Sequence, residues 1–254
     1  MAKIGLVLSG GGVRGFAHLG LLQALDEGGI RPDAISGVSS GAIVGALYAA
    51  GHRPVDILQF MKGHSYFGWS NFLFKKDGFF SMQPLLDTLE KYIPNDSFES
   101  LSTRFYVTAT NFTRNESLTF STGPLHQAIL ASSSVPVIFE PVMSGDSLLM
   151  DGGLLNNFPV EPLEKECDVL IGSHVNLLQT GPPPVVRIGK ANILERCFHL
   201  AIAGSVYDKA RRCHLFIEPP LQGFNMSDAH KAEQIFTIGY QTAREHIDNN
   251  HLFD

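Results

Sequence analysis

The stretch of the chain with the clearest chemical potential is a serine set between glycines, Gly37-Val38-Ser39-Ser40-Gly41. An apolar, strand-like segment precedes it, and a segment of small and apolar residues with helical composition follows. On a tight strand-to-helix turn, a serine exposes its hydroxyl at the end of a sheet, and flanking glycines allow close packing. Ser39 is therefore predicted to be a nucleophile. A helix start rich in small residues is the alternative for this pattern alone.

A glycine-rich loop, Gly10-Gly11-Gly12-Val13-Arg14-Gly15, lies between the first predicted strand and the first predicted helix. As a dinucleotide fingerprint it lacks an acidic residue at the end of the second strand, because Asp33 precedes that strand. As a Walker loop it lacks the lysine, because Phe16 stands there. The favoured interpretation is an oxyanion hole whose glycine N–H groups face Ser39 from the same sheet edge. A purely structural turn stays open.

A serine nucleophile needs a base, and two candidates follow predicted strands. Asp151 ends the apolar run 148–150 and precedes Gly152 and Gly153, which leave its carboxylate approachable. A carboxylate bonded directly to a serine hydroxyl can act as a general base. His174, at the end of a later strand, is the best of the ten histidines for a third triad member. A tight-turn aspartate and a hydrogen-bonded strand-end histidine are the structural alternatives.

These residues need a sheet that brings strand ends together. Predicted strands alternate with predicted helices, which favours an α/β fold: a three-layer α/β/α arrangement with a mainly parallel central sheet and the elbow between strand and helix. Strands are predicted near 3–9, 105–110, 118–121, 167–175 and 214–218. A second strand is predicted to end at 38, just before the serine turn, and a further pair surrounds the turn 144–147. Helices are predicted near 15–27, 55–61, 82–92, 125–131, 192–209 and 229–249.

Composition points to one globular domain and limits the partners. The chain has 254 residues, 44% hydrophobic and 17% charged, which predicts a single domain over 1–254 with a substantial core. The motifs fall within 4–175, and a C-terminal helical part is predicted over 186–254. A net charge of −6 disfavours nucleic acid as a partner.

The cysteine content and hydropathy indicate a cytoplasmic location. The three cysteines, Cys167, Cys197 and Cys213, are sparse and odd in number, which is typical of reduced thiols. No C-x-x-C or H-E-x-x-H pattern suggests a metal site. No apolar run approaches the roughly 20 residues that a membrane span requires.

Four ordered segments together resemble the patatin-like phospholipases, specifically their short single-domain bacterial members. The glycine loop, the G-x-S-x-G elbow and Asp151-Gly152-Gly153 match the three motifs of that family. The continuation 154–160 and the segment 131–136, followed by Phe139 and Pro141, resemble further family segments. The resemblance covers roughly 4–175.

The resemblance implies a Ser–Asp dyad, with Ser39 as nucleophile and Asp151 as base, and no metal or organic cofactor. Backbone N–H groups of the loop Gly10, Gly11 and Gly12 would stabilise the oxyanion. Arg14 would either fix that loop or meet an anionic head group. The implied activity is hydrolysis of fatty-acyl esters of lipids, as an esterase, phospholipase or lysophospholipase. Alternatives are acyl transfer at the same site, or a non-catalytic regulatory or nucleotide-binding protein on this fold.

Three residues depart from the family pattern. Val38 and Ser40 replace the commoner threonine and alanine beside the nucleophile, and Val137 stands where glycine is often found. None of them removes a catalytic group. The departures bear on the shape of the pocket, and so on the substrate class, and leave the chemistry unchanged.

The segment 66–80 is dense in aromatic residues and holds the single tryptophan and two lysines. Such amphipathic rings suit a lipid interface or a lid over an acyl-chain pocket. Trp69, Phe72 and Phe74 are therefore candidate substrate or interface residues, with a peripheral, transient contact at the inner membrane face. A core-packing connection is the alternative.

Overall fold

The computed structural model describes residues 2–63, 80–178, 193, 196–197, 200, 205–225 and 228–250. The interface candidates Trp69, Phe72 and Phe74 lie outside these residues. So does much of the helix predicted over 192–209, although 193, 196–197, 200 and 205–210 are helical.

Eight strands within the described residues form one sheet. They are β1 Ile4–Leu8, β2 Ala34–Val38, β3 Arg104–Asn111, β4 Glu116–Phe120, β5 Val142–Ser144, β6 Ser147–Asp151, β7 Val169–Ser173 and β8 Leu215–Ile217. In pairing order the sheet runs β5-β6-β3-β2-β1-β7-β8, and β4 also pairs with β3. Four of the seven pairings are parallel, and the three antiparallel ones join β3, β4, β5 and β6.

Helices cover both faces of this sheet, so the predicted three-layer, mainly parallel architecture is confirmed. The helices are α1 Phe16–Glu27, α2 Ser40–Ala49, α3 Pro54–Gly63, α4 Gln83–Tyr92, α5 Leu125–Ser133, α6 Glu161–Glu164, α7 205–210 and α8 Ala232–Asp248. Helices α1 to α5 and α8 share one large apolar cluster with one sheet face, and α6 and α7 pack on the other.

Continuous apolar runs in the central strands arise because both sheet faces are buried. In β1, Leu6 and Leu8 face the large cluster, whereas Val7 faces the smaller one. In β3, Phe105 and Tyr106 divide between the two clusters in the same way. The two-residue period of a strand thus sends alternate side chains into two separate cores.

Helices α1 and α8 cross with their backbones in contact, and glycines at the crossing make this possible. A Cβ at Gly20 would lie 2.2 Å from the carbonyl oxygen of Phe236, and one at Gly239 would lie 2.3 Å from that of Ala17. Real Cβ atoms do not approach a backbone this closely. Nearby, the hydroxyl of Tyr240 donates to Glu27 across 2.6 Å. Helix α1, which follows the glycine loop, is therefore held by direct packing against the C-terminal helix α8.

Candidate active site

Ser39 occupies a strained turn between β2 and α2. Its backbone has φ +53° and ψ −124°, a conformation that L-residues rarely adopt. A Cβ at Gly41 would lie 2.4 Å from the carbonyl oxygen of Leu8, and one at Gly37 would lie 2.5 Å from that of Gly41. The two glycines of the pattern are therefore required by close backbone approach. Within this packing, the side chain of Ser39 is held almost fully buried, with 9% of its surface exposed.

Strand register brings Ser39 to Asp151. Strand β2 pairs with residues 104–108 of β3, and β4 pairs with 107–111, so β2 and β4 lie on opposite sides of β3. Strand β6 pairs with 109–111, which also pair with β4, so β6 lies on the β2 side. Because β6 runs antiparallel to β3, β2 and β6 meet end to end. Asp151 pairs with Ala109, one residue beyond the partner of Val38.

Asp151 is a buried carboxylate hydrogen-bonded to the hydroxyl of Ser39. Its Oδ1 atom also accepts a 2.7 Å hydrogen bond from the N–H of Gly153. Burial disfavours the charged form and raises the pKa of Asp151 to about 6, although the bonds from Ser39 and Gly153 oppose this shift. The predicted serine and aspartate are thus in direct contact, and the carboxylate has a basicity suited to proton transfer near neutral pH.

We expect Asp151→Asn to stabilise the folded protein at alkaline pH. The pKa of Asp151, about 6 against an ordinary 3.8, means that the folded state binds this proton more tightly than the unfolded chain does. The buried charge therefore lowers the free energy of unfolding above pH 6, and this cost disappears as the pH falls towards 4. Asp151→Asn should raise that free energy at pH 8 by about 3 kcal/mol. Urea denaturation at pH 8 and pH 4 measures it, and an equal gain at both would contradict the explanation.

Two serines of the segment 131–136 support the pair, and sequence reasoning gave them no role. The N–H of Ser39 donates to Ser132 Oγ across 2.9 Å, and Ser132 Oγ donates to the carbonyl of Thr108 across 2.6 Å. The N–H of Asp151 donates to the carbonyl of Ser134 across 2.9 Å. These bonds tie both candidate catalytic residues to the end of α5. Their sequence signal was the resemblance of 131–136 to a family segment, which assigned no role to either serine.

The glycine loop lies beside Ser39. A Cβ at Gly10 would be 3.0 Å from Ser39 Cβ and 2.6 Å from Asn157 Oδ1, so a larger residue there would have to displace Asn157 or press on Ser39. Gly12 has φ +57° and begins a short 3₁₀ turn, Gly12–Gly15, which leads directly into α1. Among the described residues, none accepts a hydrogen bond from the N–H groups of Gly10, Gly11 or Gly12. The loop therefore presents main-chain donors next to the serine.

Arg14 is buried and points into the C-terminal half of the chain. Its Nε atom donates to the carbonyl of Phe224 across 2.9 Å, and its Nη1 atom donates to Asn176 Oδ1 across 3.2 Å. Of the two roles left open for Arg14, these contacts favour fixing the loop. Sequence reasoning had named neither partner.

His174 forms no hydrogen bond with Ser39 or Asp151 among the described residues. It is buried, and its Nδ1 atom lies 2.7 Å from Glu218 Oε1, while its ring stacks on Phe216. The carboxylate of Asp151 receives its hydrogen bonds from Ser39 and Gly153 instead. The described geometry is therefore that of a pair.

Val137, one of the three departures from the resembled family pattern, adopts a backbone conformation that favours glycine. It has φ +70° although it is β-branched, and 73% of its surface is exposed. The N–H groups of Ile138 and Phe139 both donate to the carbonyl of Val135, which closes the turn around it. Glycine adopts this conformation without the strain that valine incurs.

Further features bear on metals, thiols and membranes. In the described part of the chain, no group of three or more His, Cys, Asp or Glu side chains could hold a metal ion. Burial raises the pKa of Cys213 to about 12, and that of Cys167 to about 11, which keeps both thiols protonated. Among the helices of the described residues, none is long and apolar enough to cross a membrane.

The fold and the site together define a three-layer α/β/α protein with a serine elbow, a buried aspartate partner and a glycine-rich donor loop. The family model for the patatin-like phospholipases matches residues 6–164, more than half of the chain. The chain therefore belongs to the patatin-like phospholipase family, as its motifs predicted.

Proteins that align with most of this chain are themselves much longer. It is 25% identical over 282 residues to lysophospholipase nte1 of Aspergillus fumigatus, which covers 96% of this chain and 18% of that protein. It is 28% identical over 278 residues to patatin-like phospholipase domain-containing protein ZK370.4 of Caenorhabditis elegans, covering 95% and 20%. The chain thus spans about a fifth of the length of these curated relatives.

A solved structure shares the fold. VipD from Legionella pneumophila superposes with a TM-score of 0.58 at 17% sequence identity, covering 97% of this chain and 67% of that one. At this identity the likeness concerns the architecture alone.

Proposed function

We propose that this protein is a serine acyl hydrolase that cleaves fatty-acyl esters of lipids. The observation that carries the proposal is the hydrogen bond between the strained Ser39 and the buried Asp151. Nucleophilic catalysis needs such an activated hydroxyl, and ester cleavage also needs donors for an oxyanion. The N–H groups of the adjacent glycine loop supply these donors in the proposal.

The mechanism follows from the roles of these groups. Asp151 takes the proton of the Ser39 hydroxyl as its oxygen attacks the ester carbonyl. The tetrahedral oxyanion rests on the glycine-loop N–H groups, and Asp151 then protonates the leaving alcohol. Water, deprotonated by Asp151, attacks the resulting acyl-enzyme, and the fatty acid leaves as Ser39 recovers its proton. No metal or organic cofactor enters this sequence.

The substrate class is proposed as phospholipids or lysophospholipids. Family membership supports a lipid ester, and one relative at 25% identity is a lysophospholipase. Acylglycerols and simple acyl esters would undergo the same chemistry. Hydrolysis is proposed over acyl transfer, the two being distinguished by which acceptor attacks the acyl-enzyme.

A peripheral, transient contact with the inner membrane face is the second part of the proposal. It is supported by the composition of the segment 66–80, where Trp69, Phe72 and Phe74 lie beside two lysines. Replacing Trp69 and Phe72 with serine should weaken co-sedimentation with phosphatidylglycerol-containing vesicles. Unchanged sedimentation would remove this part and leave the chemistry unaffected.

The experiment that tests the hydrolase is covalent labelling followed by product analysis. A fluorophosphonate should add once per chain, and mass spectrometry should locate it on Ser39. Purified protein should release fatty acid from lysophosphatidylcholine and from a p-nitrophenyl ester, with the rate unchanged by EDTA. Acylated glycerol formed in added glycerol, without free fatty acid, would favour a transferase. Folded protein that neither reacts nor turns over substrate would favour a regulatory role.

A further inference from the structure

The main-chain carbonyl of Gly10 accepts a hydrogen bond from a side chain in the C-terminal half of the chain. The Nδ2 atom of Asn176 donates to it across 2.6 Å, and Asn176 is 4% exposed. Asn176 follows β7, which pairs in parallel with β1, so the two strand ends bring it beside the loop. A Cβ at Gly11 would lie 3.0 Å from Asn176 Oδ1, which shows how closely the asparagine approaches.

Holding this carbonyl also fixes an N–H group. The C=O of Gly10 and the N–H of Gly11 belong to one planar peptide, and no peptide bond of the described chain is cis. In a trans peptide these two groups point in opposite directions. The N–H of Gly11 is therefore directed away from Asn176, and no described residue accepts it. Ser39 lies beside the loop, with its Cβ 3.0 Å from the position that a Cβ of Gly10 would occupy.

Arg14 determines which end of the asparagine amide faces the loop. Its Nη1 atom donates to Asn176 Oδ1 across 3.2 Å, so the oxygen of the amide faces the guanidinium and the nitrogen faces Gly10. A reversed amide would set two donors against each other and two acceptors against each other. The guanidinium is itself held by the carbonyl of Phe224 across 2.9 Å.

We infer that Asn176 is a positioning residue for the oxyanion hole: it locks the Gly10–Gly11 peptide so that the N–H of Gly11 faces the ester carbonyl on Ser39. The inference rests on the proposed function and deepens it. A donor aimed at a developing charge acts mainly in the transition state. Loss of the hydrogen bond from Asn176 to Gly10 should therefore lower kcat and leave KM nearly unchanged.

The test compares two variants of Asn176 with a matched control. Asn176→Ala removes the hydrogen bond to the Gly10 carbonyl. Asn176→Asp keeps a partner for Arg14 but sets a carboxylate oxygen, which cannot donate, against the Gly10 carbonyl. The control is Asn111→Ala at the β3–β4 turn, where another buried asparagine donates to Glu116 and Ser147. Urea denaturation of all variants identifies any loss of folding.

Both Asn176 variants should lower kcat for a p-nitrophenyl ester by about 10- to 100-fold, less than the roughly 10²- to 10³-fold loss when an oxyanion donor is removed outright, because the donor is misplaced and not deleted. KM should stay within about two-fold, because ground-state binding does not use the donor. The affinity for a trifluoromethyl ketone, which forms a tetrahedral oxyanion on serine, should fall by the same factor as kcat. Asn111→Ala should keep the wild-type kcat.

The outcomes separate this inference from the proposed function. An active wild type and control, with Asn176 variants of unchanged kcat, would overturn the positioning role alone. So would a loss of kcat without a matching loss of ketone affinity. Folded wild type and control that both lack hydrolysis would overturn the proposed function, and the positioning role with it.

Discussion

Ser39→Ala is expected to lower kcat/KM for an acyl ester by about 10⁴-fold or more, because no acyl-enzyme can form without the hydroxyl. The fold should persist, since alanine keeps the same Cβ in the strained turn and the N–H bond to Ser132 is unaffected. Steady-state hydrolysis of a p-nitrophenyl ester measures the loss, and circular dichroism checks the fold. A folded variant with more than a tenth of the wild-type rate would contradict the role of Ser39.

Asp151→Asn is the companion variant, because it keeps the shape of the side chain and removes the base. It should lower kcat by about 10²- to 10⁴-fold, the range for general-base catalysis. Wild-type kcat/KM should also fall as the pH drops below about 6, because protonated Asp151 cannot accept the serine proton. The same variant is predicted above to be more stable at pH 8, so activity and stability should change in opposite directions.

His174→Ala is the control that separates a dyad from a triad. His174 is bonded to Glu218 in the described structure, so the variant should retain most of the activity. Loss of activity comparable to that of Ser39→Ala, in folded protein, would replace the dyad with a triad.

Gly239→Ala is expected to lower the free energy of unfolding by about 3 kcal/mol, through overpacking of the α1–α8 crossing. Helix propensity alone predicts the opposite sign, a gain of about 1 kcal/mol for alanine over glycine inside a helix. The new Cβ would lie 2.3 Å from the carbonyl oxygen of Ala17 and 2.6 Å from its Cα, and neither backbone can yield without moving the helix. Urea denaturation determines the sign.

Gly223→Ala is the matched control for this substitution. A Cβ at Gly223 meets nothing within 4 Å, and its φ lies outside the left-handed range. Its free energy of unfolding should therefore stay within about 0.5 kcal/mol of wild type. A Gly239→Ala protein as stable as this control would show that the two helices separate at little cost.

The sequence revealed the catalytic candidates one at a time, because each belongs to a local pattern. Ser39 lies between an apolar strand and a small-residue helix, and Asp151 ends an apolar strand before two glycines. Such patterns depend on short-range sterics, which a sequence displays directly. Chemical reasoning paired the two residues as a nucleophile and a candidate base, and the family resemblance supplied the dyad. Their contact depends on β2 and β6 sharing one side of β3, and no local pattern encodes that pairing.

The supporting residues escaped prediction for a related reason. Ser132 and Asn176 are common residue types, and their roles come from single hydrogen bonds to distant backbone atoms. Asn176 matters because β7 lies beside β1, a strand order that alternation of strands and helices leaves undetermined. Arg14 stood in a recognised motif, yet its two roles could be weighed only once its partners were known.

The α1–α8 crossing also bears on how a shortened form of this protein could be made. The family match ends at residue 164, whereas α8 begins at Ala232 and buries α1 directly. A recombinant fragment cut at the match boundary would lack β7 and α8. It would leave β1 as an open edge and α1 with an uncovered apolar side, two features that promote aggregation. The boundary of the recognisable family sequence is thus the wrong place to truncate, and a shortened form should keep β7 and α8.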